Sequence, residues 1–163
     1  MNKTQTDKGY SLTLPSDREI KMTRIFNAPR ELVWKVWTDP ALIPQWWGPK
    51  KYPTVVEKMD VRVGGAWRYI SRGENGEEFA FRGEYKEIVP VERIACTFEF
   101  EPMAGHISLD TATFEELPDG RTLMTSTALF SSQEDRDGMM QSGMEDGATE
   151  TYDRFDELVQ SMK

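Results

Sequence analysis

The side chains that most often carry out covalent chemistry are scarce in this chain of 163 residues, which contains one histidine, His106, and one cysteine, Cys96. A zinc or non-haem iron site needs several such ligands at characteristic spacings, so we expect neither a metal nor another cofactor. Cys96 falls on the apolar face of a predicted strand, where a small buried thiol is the common outcome. His106 lies in a glycine-containing loop, where exposure to solvent is expected. The sequence therefore indicates no nucleophilic or metal-dependent centre.

Carboxylates on predicted strands offer a different chemistry, because a buried acid with a raised pKa serves as a general base in cyclases and isomerases. The candidates are Glu57, Asp60, Glu84 and Asp110. Glu84 falls on the polar face of its strand, and Asp60 is equally suited to tying a loop to backbone amides. We favour a structural role for each and predict no catalytic residue. An enzyme of the cyclase or hydrolase type, using a pocket carboxylate or tyrosine, is kept as an alternative.

Aromatic residues recur on one face of successive predicted strands, and the segment Trp46-Trp47-Gly48-Pro49 ends a short helical stretch near them. Aromatics dominate protein cores, so a plain core is one interpretation. The other is a cavity that holds water or a ligand. An empty space of about 300 Å³ would cost about 7 kcal/mol, against a typical domain stability of about 5–15 kcal/mol.

We therefore predict a set of ligand-binding residues that consists of aromatics from the strands and the Trp-Trp segment, together with two methionines near the C-terminus. They are Trp47, Trp67, Tyr69, Phe81, Tyr85, Phe98, Met140 and Met144. Trp47 would control access to the cavity. The hydroxyls of Tyr69 and Tyr85 would orient a polar group of an otherwise apolar ligand. The flexible, polarizable methionines would adapt the wall to its shape.

The elements that position these residues follow from the periodicity of the chain. Alternating apolar and polar residues predict a first strand at 19–26. Asn27 as the N-cap and Pro29 in the first turn predict a helix directly after this strand. A second, short helix is expected after Pro40, which breaks the first.

The rest of the chain changes from a strand period to a helix period. From 54 to 130 the apolar period is mostly two, and Asn-Gly at 75–76 and Asp-Gly at 119–120 predict hairpin turns. Successive hairpins form an antiparallel, strongly curved sheet. After Ser131 a capping-box pattern and apolar residues at steps of three and four predict one long C-terminal helix. Its glycines, such as Gly143, either open space beside the sheet or mark a frayed first turn.

Several motifs in this order resemble those of one family. They are Arg24–Trp34, Trp37–Pro40, Trp46–Pro49, Asp60–Gly65 and Gly83–Tyr85. The chain is similar to the AHSA-like proteins (activator of heat-shock-protein ATPase homologue) of the START and polyketide-cyclase superfamily, also called SRPBCC. The resemblance implies an α+β helix-grip fold, in which a curved antiparallel sheet wraps around a long C-terminal helix and two short helices follow the first strand. The superfamily includes lipid carriers, hormone receptors and cyclases, so the fold alone does not select a function.

Composition narrows the partners and the compartment. The net charge of −8 repels phosphate backbones, so nucleic acid is not expected as a partner. No apolar run approaches the roughly 20 residues of a membrane span. The first residues lack an apolar signal-peptide core, and the single cysteine agrees with a reducing compartment, which together predict a cytoplasmic protein. We expect a polar N-terminal tail at 1–18 and a single START-like domain at 19–163.

The leading functional prediction is binding of a small, largely apolar molecule, lipid-like or aromatic, between the sheet and the C-terminal helix. This prediction favours a binding protein over an enzyme. Contact with a chaperone ATPase is an alternative that only the family resemblance implies. The chaperone activators of that family carry a further N-terminal domain. The paired indoles Trp46 and Trp47 fit a weak homodimer patch as well as a lid.

Overall fold

The computed structural model describes residues 8–163, and within this range eight strands form one sheet. The strands are β1 (Ser11–Thr13), β2 (Glu19–Phe26), β3 (Thr54–Met59), β4 (Ala66–Arg72), β5 (Glu78–Val89), β6 (Arg93–Phe100), β7 (Ile107–Glu116) and β8 (Thr122–Leu129). The helices are α1 (Arg30–Thr38), α2 (Gln133–Gln141) and α3 (Met144–Ser161), with short 3₁₀ turns at Ile43–Gln45 and Glu101–Met103. None of the helices in the described range is long and apolar enough to cross a membrane.

All neighbouring strands pair antiparallel, in the order β1-β2-β8-β7-β6-β5-β4-β3. The predicted antiparallel sheet is therefore confirmed. Both predicted hairpin turns are present as well, with Gly76 at φ 82° and Gly120 at φ 86°, a conformation that glycine adopts without strain. β1 pairs with β2, so a strand precedes residue 19 and the described part of the predicted tail contributes to the sheet. Residues 1–7 of that tail lie outside the described residues.

Two irregularities in strand pairing bend the half of the sheet that carries most aromatics. The register shifts between Val56 and Lys58 of β3, and again between Tyr85 and Glu87 of β5. Such bulges increase the local twist and curve a sheet around whatever packs on its inner face. The sheet is thus shaped to enclose a helix.

The core lies between this concave face and helices α1 and α3. Phe155 of α3 is fully buried, and its ring centroid lies 4.5 Å from that of Phe26 and 4.8 Å from that of Trp46. Val33 and Val36 of α1 are also fully buried. Aromatic pairs at these distances contribute more stabilising free energy than the burial of their apolar surface alone. Phe155 is therefore a central contact between α3, β2 and the segment after α1.

The prediction of one continuous C-terminal helix is wrong. α2 ends at Gln141 and α3 begins at Met144, with Gly143 between them in the left-handed conformation at φ 83°. A left-handed residue cannot continue a right-handed helix, so the chain changes direction here. The Ser132 hydroxyl caps α2 by accepting from the backbone N–H of Asp135 at 3.1 Å.

The predicted cap of the first helix is also wrong. Pro29 occupies the N-cap position of α1, without a side-chain cap. The backbone N–H of Asn27 instead donates to the Asp156 carboxylate of α3 at 3.0 Å. This long-range hydrogen bond ties the residue that follows β2 to α3.

Candidate functional site

A cavity of about 350 Å³ lies between the concave face of the sheet and α3. Its wall is built from strands β4 to β8, from α3 and from the segment around Trp46 and Trp47. Aromatic side chains dominate this wall, and polar groups are few. Small-molecule binding sites have the same mostly apolar composition. The cavity is therefore the candidate functional site.

Five of the predicted site residues come together on this wall: Trp47, Trp67, Tyr69, Tyr85 and Phe98. They come from different strands and from the Trp-Trp segment, and they meet because the sheet curves. The other three predicted residues, Phe81, Met140 and Met144, are not on the wall.

Phe81 lies in a layer behind the cavity. Its ring stacks on Phe100 at 5.1 Å and meets Trp47 edge-on at 4.9 Å. It therefore supports the position of Trp47 rather than the cavity surface. Such a supporting layer restricts the rotamers of the residue in front of it.

The two methionines lie outside the cavity wall, one on each side of the helix break at Gly143. Met140 and Met144 pack, half-buried, against the core on either side of that break. The cavity instead faces the next turns of α3, where Ala148, Thr151 and Tyr152 lie on its wall. Residues three and four apart share one face of a helix, so these three positions form a continuous patch.

The paired indoles have different environments. Trp46 is buried, and its Nε1 donates to the carbonyl of Val36 at 3.2 Å. Trp47 is half-buried at the cavity, where its ring meets Tyr69 edge-on at 5.1 Å. Trp46 is thus mainly a core residue that also touches the cavity, whereas Trp47 contributes its half-buried ring to the cavity wall.

Helix α3 holds this segment in place through two side chains, those of Arg154 and Glu150. Arg154 donates to the carbonyl of Gly48 at 2.6 Å and to that of Gln45 at 3.1 Å. Glu150, one turn earlier, accepts the backbone N–H of Lys50 at 2.8 Å. The position of Trp47 is therefore coupled to the position of α3 by hydrogen bonds on both sides of the indole pair.

The cavity contains one of the four candidate carboxylates, for which the sequence favoured a structural role. Asp110 of β7 lies on the wall, and the Ser108 hydroxyl donates to its Oδ1 at 3.0 Å. Burial raises the pKa of Asp110 from 3.8 to about 6, and the hydrogen bond from Ser108 opposes this shift. At neutral pH the group is mostly ionised, but a modest change in its surroundings would protonate it.

A sequence signal for Asp110 existed in the alternation of β7. Ser108, Asp110, Ala112 and Phe114 share one face of the strand, and Ala112 and Phe114 are buried. The other strand carboxylates do not face the cavity. Glu84 is exposed, Glu57 pairs with Arg68 at 2.6 Å, and Asp60 pairs with Arg62 at 2.7 Å.

The polar groups near Asp110 are neutral. Burial is the main cause that raises the pKa values of Tyr69, Tyr85 and Cys96 above their ordinary range. Burial likewise raises the pKa of Tyr152 to about 12, although the Ser126 hydroxyl opposes the shift. At physiological pH these groups are therefore protonated hydroxyls and a thiol, and no lysine, arginine or histidine of the described chain lies on the wall.

His106 is exposed, as predicted, and lies away from this cavity. Its Nδ1 is 2.9 Å from the Asp135 carboxylate. No group of three or more potential metal ligands occurs among residues 8–163.

A curved antiparallel sheet that grips a C-terminal helix around an apolar cavity defines the helix-grip, START-like class of proteins. The sequence profile of the family described as "Activator of Hsp90 ATPase homolog 1-like protein" matches residues 27–160. The chain belongs to this family, as the motifs of the sequence predicted. No functionally curated protein matches the chain in sequence.

Solved structures from several bacteria share the fold. A protein from Rhodobacter sphaeroides is 22% identical, with a TM-score of 0.87 over 93% of this chain and 99% of its own. A protein from Arthrobacter aurescens is 25% identical, with a TM-score of 0.84 over 93% of this chain and 91% of its own. The AHSA1 protein from Silicibacter pomeroyi is 18% identical, with a TM-score of 0.71 over 89% of this chain and 99% of its own.

Proposed function

We propose that the protein binds a small, largely apolar molecule, aromatic or lipid-like, in the cavity between the sheet and α3. The observation that carries this proposal is the size of the cavity, about 350 Å³. Left dry and empty, such a space would cost about 8 kcal/mol, a large part of the stability of a domain. An apolar occupant that displaces water from this wall gains free energy through its contacts with the aromatic rings.

The proposed contacts follow the geometry of the wall. Trp67, Tyr69, Tyr85 and Phe98 form the sheet side of the binding surface, and Ala148 forms part of the helix side. Trp47 closes the cavity near α3. Phe81 acts behind Trp47, and the two methionines act on the packing of α2 and the start of α3 rather than on the ligand.

The first test is to fill the cavity from the helix side. Ala148→Trp places an indole where the wall now has a methyl group, and we expect it to abolish binding of N-phenyl-1-naphthylamine, an uncharged apolar fluorescent probe. Glu157→Trp, on an exposed position of the same helix, is the matched control and should bind the probe as the wild type does. Equal affinity of the wild type and Ala148→Trp would refute the proposed location.

The second test uses the native occupant. Native mass spectrometry of gently purified protein should show a reproducible extra mass that is absent from the unfolded protein and from Ala148→Trp. A mass retained by Ala148→Trp would locate the occupant elsewhere. Because the readout is the added mass itself, the same measurement also gives the molecular mass of the ligand.

One specific observation favours an enzyme as the second candidate. A carboxyl group with a pKa of about 6, as in Asp110, is suited to general acid–base chemistry near neutral pH. In this case the recovered occupant would be converted to a different compound on incubation with the wild type. Asp110→Asn should bind the compound without converting it. A compound whose chromatographic retention and fragmentation spectrum stay the same with both proteins would exclude turnover of that compound.

A further inference from the structure

Asp110 is placed by its strand neighbours at the inner surface of the cavity. It pairs in register with Cys96 of β6 and with Ala128 of β8, so its side chain emerges between a thiol and a methyl group. Ser108 donates to Oδ1. Among the described residues no side chain or backbone group donates to Oδ2, and this oxygen is therefore free to accept a hydrogen bond from a ligand.

The Asp110 carboxylate has no counter-ion on the cavity wall within the described chain. Asp110 is the sole ionisable carboxylate on the wall within the described chain, and the wall carries no cationic side chain. The charge of Arg24 of β2 acts on Tyr152 of this wall and opposes the rise of its pKa, but the Arg24 guanidinium donates to Asp153 at 2.9 Å. An ionised carboxylate in such surroundings attracts a cation more strongly than it would in bulk water, because the surroundings screen charge weakly.

The aromatic wall favours a cation for a second, independent reason. The π-faces of aromatic rings are electron-rich and attract ammonium groups, tryptophan most strongly. Trp67 and Tyr69 lie side by side, with ring centroids 4.7 Å apart, and Tyr85 joins them on the same wall. An anionic ligand would meet the opposite situation, since it would face a carboxylate and electron-rich rings without a compensating positive charge.

We propose that the cavity selects a lipophilic amine, whose protonated nitrogen donates to Asp110 while its apolar or aromatic body contacts the ring-lined wall. This inference rests on the proposed binding function and adds the chemical class of the ligand. It also assigns Asp110 as the residue that determines specificity. The Ser108 hydroxyl is a positioning group, because it holds Oδ1 and leaves Oδ2 directed to the ligand.

Three probes with one naphthalene ring separate the charge from the apolar contact: 1-naphthylmethylamine, 1-naphthylmethanol and 1-naphthoic acid. Their dissociation constants can be measured at pH 7.5 by titration of ¹⁵N-labelled protein in NMR spectra. We expect the amine to bind about tenfold or more tightly than the alcohol, which is the usual worth of a charge-assisted hydrogen bond. The acid should bind more weakly than the alcohol.

The outcomes distinguish the two proposals. If the alcohol binds but the amine is no tighter, the proposed function stands and the amine inference is overturned. If none of the three probes shifts resonances of the cavity residues, the proposed function fails and the inference fails with it. Tight binding of the acid would also overturn the inference.

Variants and pH test the assignment to Asp110. In Asp110→Asn the amine should lose its advantage over the alcohol, whereas the exposed carboxamide variant Glu157→Gln should keep the wild-type ratio. In the wild type the advantage should grow about tenfold between pH 5 and pH 7.5, as Asp110 ionises. The facing groups Ser108, Cys96, Tyr85 and Tyr152 stay protonated over this range, and a flat profile would overturn the assignment even if Asp110→Asn failed to fold.

Discussion

Cys96 and Asp110 are directly paired residues of neighbouring antiparallel strands, and both side chains lie on the wall of the same cavity. The pairing makes the thiol a reporter of the carboxylate. Burial is the main cause of the raised pKa of Cys96, and the nearby charge of Asp110 adds to it. Because Cys96 is the single cysteine of the sequence, its reaction rate can be measured without interference.

We predict that Cys96 reacts with 5,5′-dithiobis(2-nitrobenzoate) at pH 8 at least about tenfold more slowly in the folded protein than in urea, because the thiolate is the reactive form and is disfavoured here. Asp110→Asn should react faster than the wild type, since it removes the negative charge beside the thiol. Saturating N-phenyl-1-naphthylamine should slow both proteins. A folded-state rate equal to that in urea would contradict the burial of Cys96 in the cavity wall.

Asp110 should also make stability depend on pH in a characteristic direction. Its folded pKa of about 6 exceeds the ordinary value of 3.8, so the folded state holds the proton more tightly. The stability that this provides is present below about pH 3.8 and is lost as pH rises through about 6. The free energy of unfolding of Asp110→Asn, taken relative to that of the wild type, should therefore rise by about 1–3 kcal/mol between pH 4 and pH 7.5.

The measurement is urea unfolding of both proteins at the two pH values, followed by far-ultraviolet circular dichroism. Using the difference between the two proteins cancels the titration of the other carboxylates. Glu157→Gln should show a difference that does not change with pH. A constant difference for Asp110→Asn as well would mean that Asp110 has an ordinary pKa.

A partly buried ion pair connects α3 to β2, with Arg24 buried and Asp153 partly exposed. Arg24 is 2% exposed and donates to Asp153, which also pairs with Lys8 at 3.1 Å. We predict that Asp153→Ala lowers the free energy of unfolding by about 2–3 kcal/mol, because it leaves a buried guanidinium without its carboxylate. This expected loss of stability is smaller than the loss for a fully buried ion pair, because the Asp153 side chain is 39% exposed.

A double-mutant cycle provides the control for this pair. In the double variant, Arg24→Met removes the buried charge that Asp153→Ala leaves unpaired. The loss of stability of Arg24→Met/Asp153→Ala should therefore be smaller than the sum of the losses of the two single variants. Urea midpoints at pH 7 give the four values. Additive losses would show that the two side chains do not interact.

Two glycines on either side of the end of α2 should respond to substitution by alanine in opposite directions. Gly143 has φ 83°, where a Cβ is strained, so Gly143→Ala should destabilise the protein by about 1–2 kcal/mol. Gly138 lies inside α2, and a Cβ there meets nothing within 4 Å. Gly138→Ala should therefore stabilise by about 0.5–1 kcal/mol. Thermal unfolding midpoints of the two variants test the pair, and shifts of the same sign would contradict the helix break.

Local sequence signals predicted much of the fold. The strand period, the Asn-Gly and Asp-Gly turns and the family motifs were sufficient for the antiparallel sheet, because turn geometry and alternation act over a few residues. The same signals located five aromatics of the cavity wall. They failed at Gly143, because a glycine in an apolar three-four pattern fits a continuous helix as well as a break.

The cavity itself was decided by the tertiary structure. The alternation of β7 allows Asp110 to lie on the inner face, but the sequence assigned it no clear inward face, and the same pattern fits a residue covered by a packed helix. Whether that face opens to a cavity depends on how the sheet curves and on where α3 lies. Contacts over more than a hundred residues set that position, from Arg24 to Asp153 and from Arg154 to Gly48. The sequence by itself therefore determined the sheet and its aromatic face. Only the long-range packing of α3 decided that Ala148 and Tyr152, rather than Met140 and Met144, face Asp110 across the cavity.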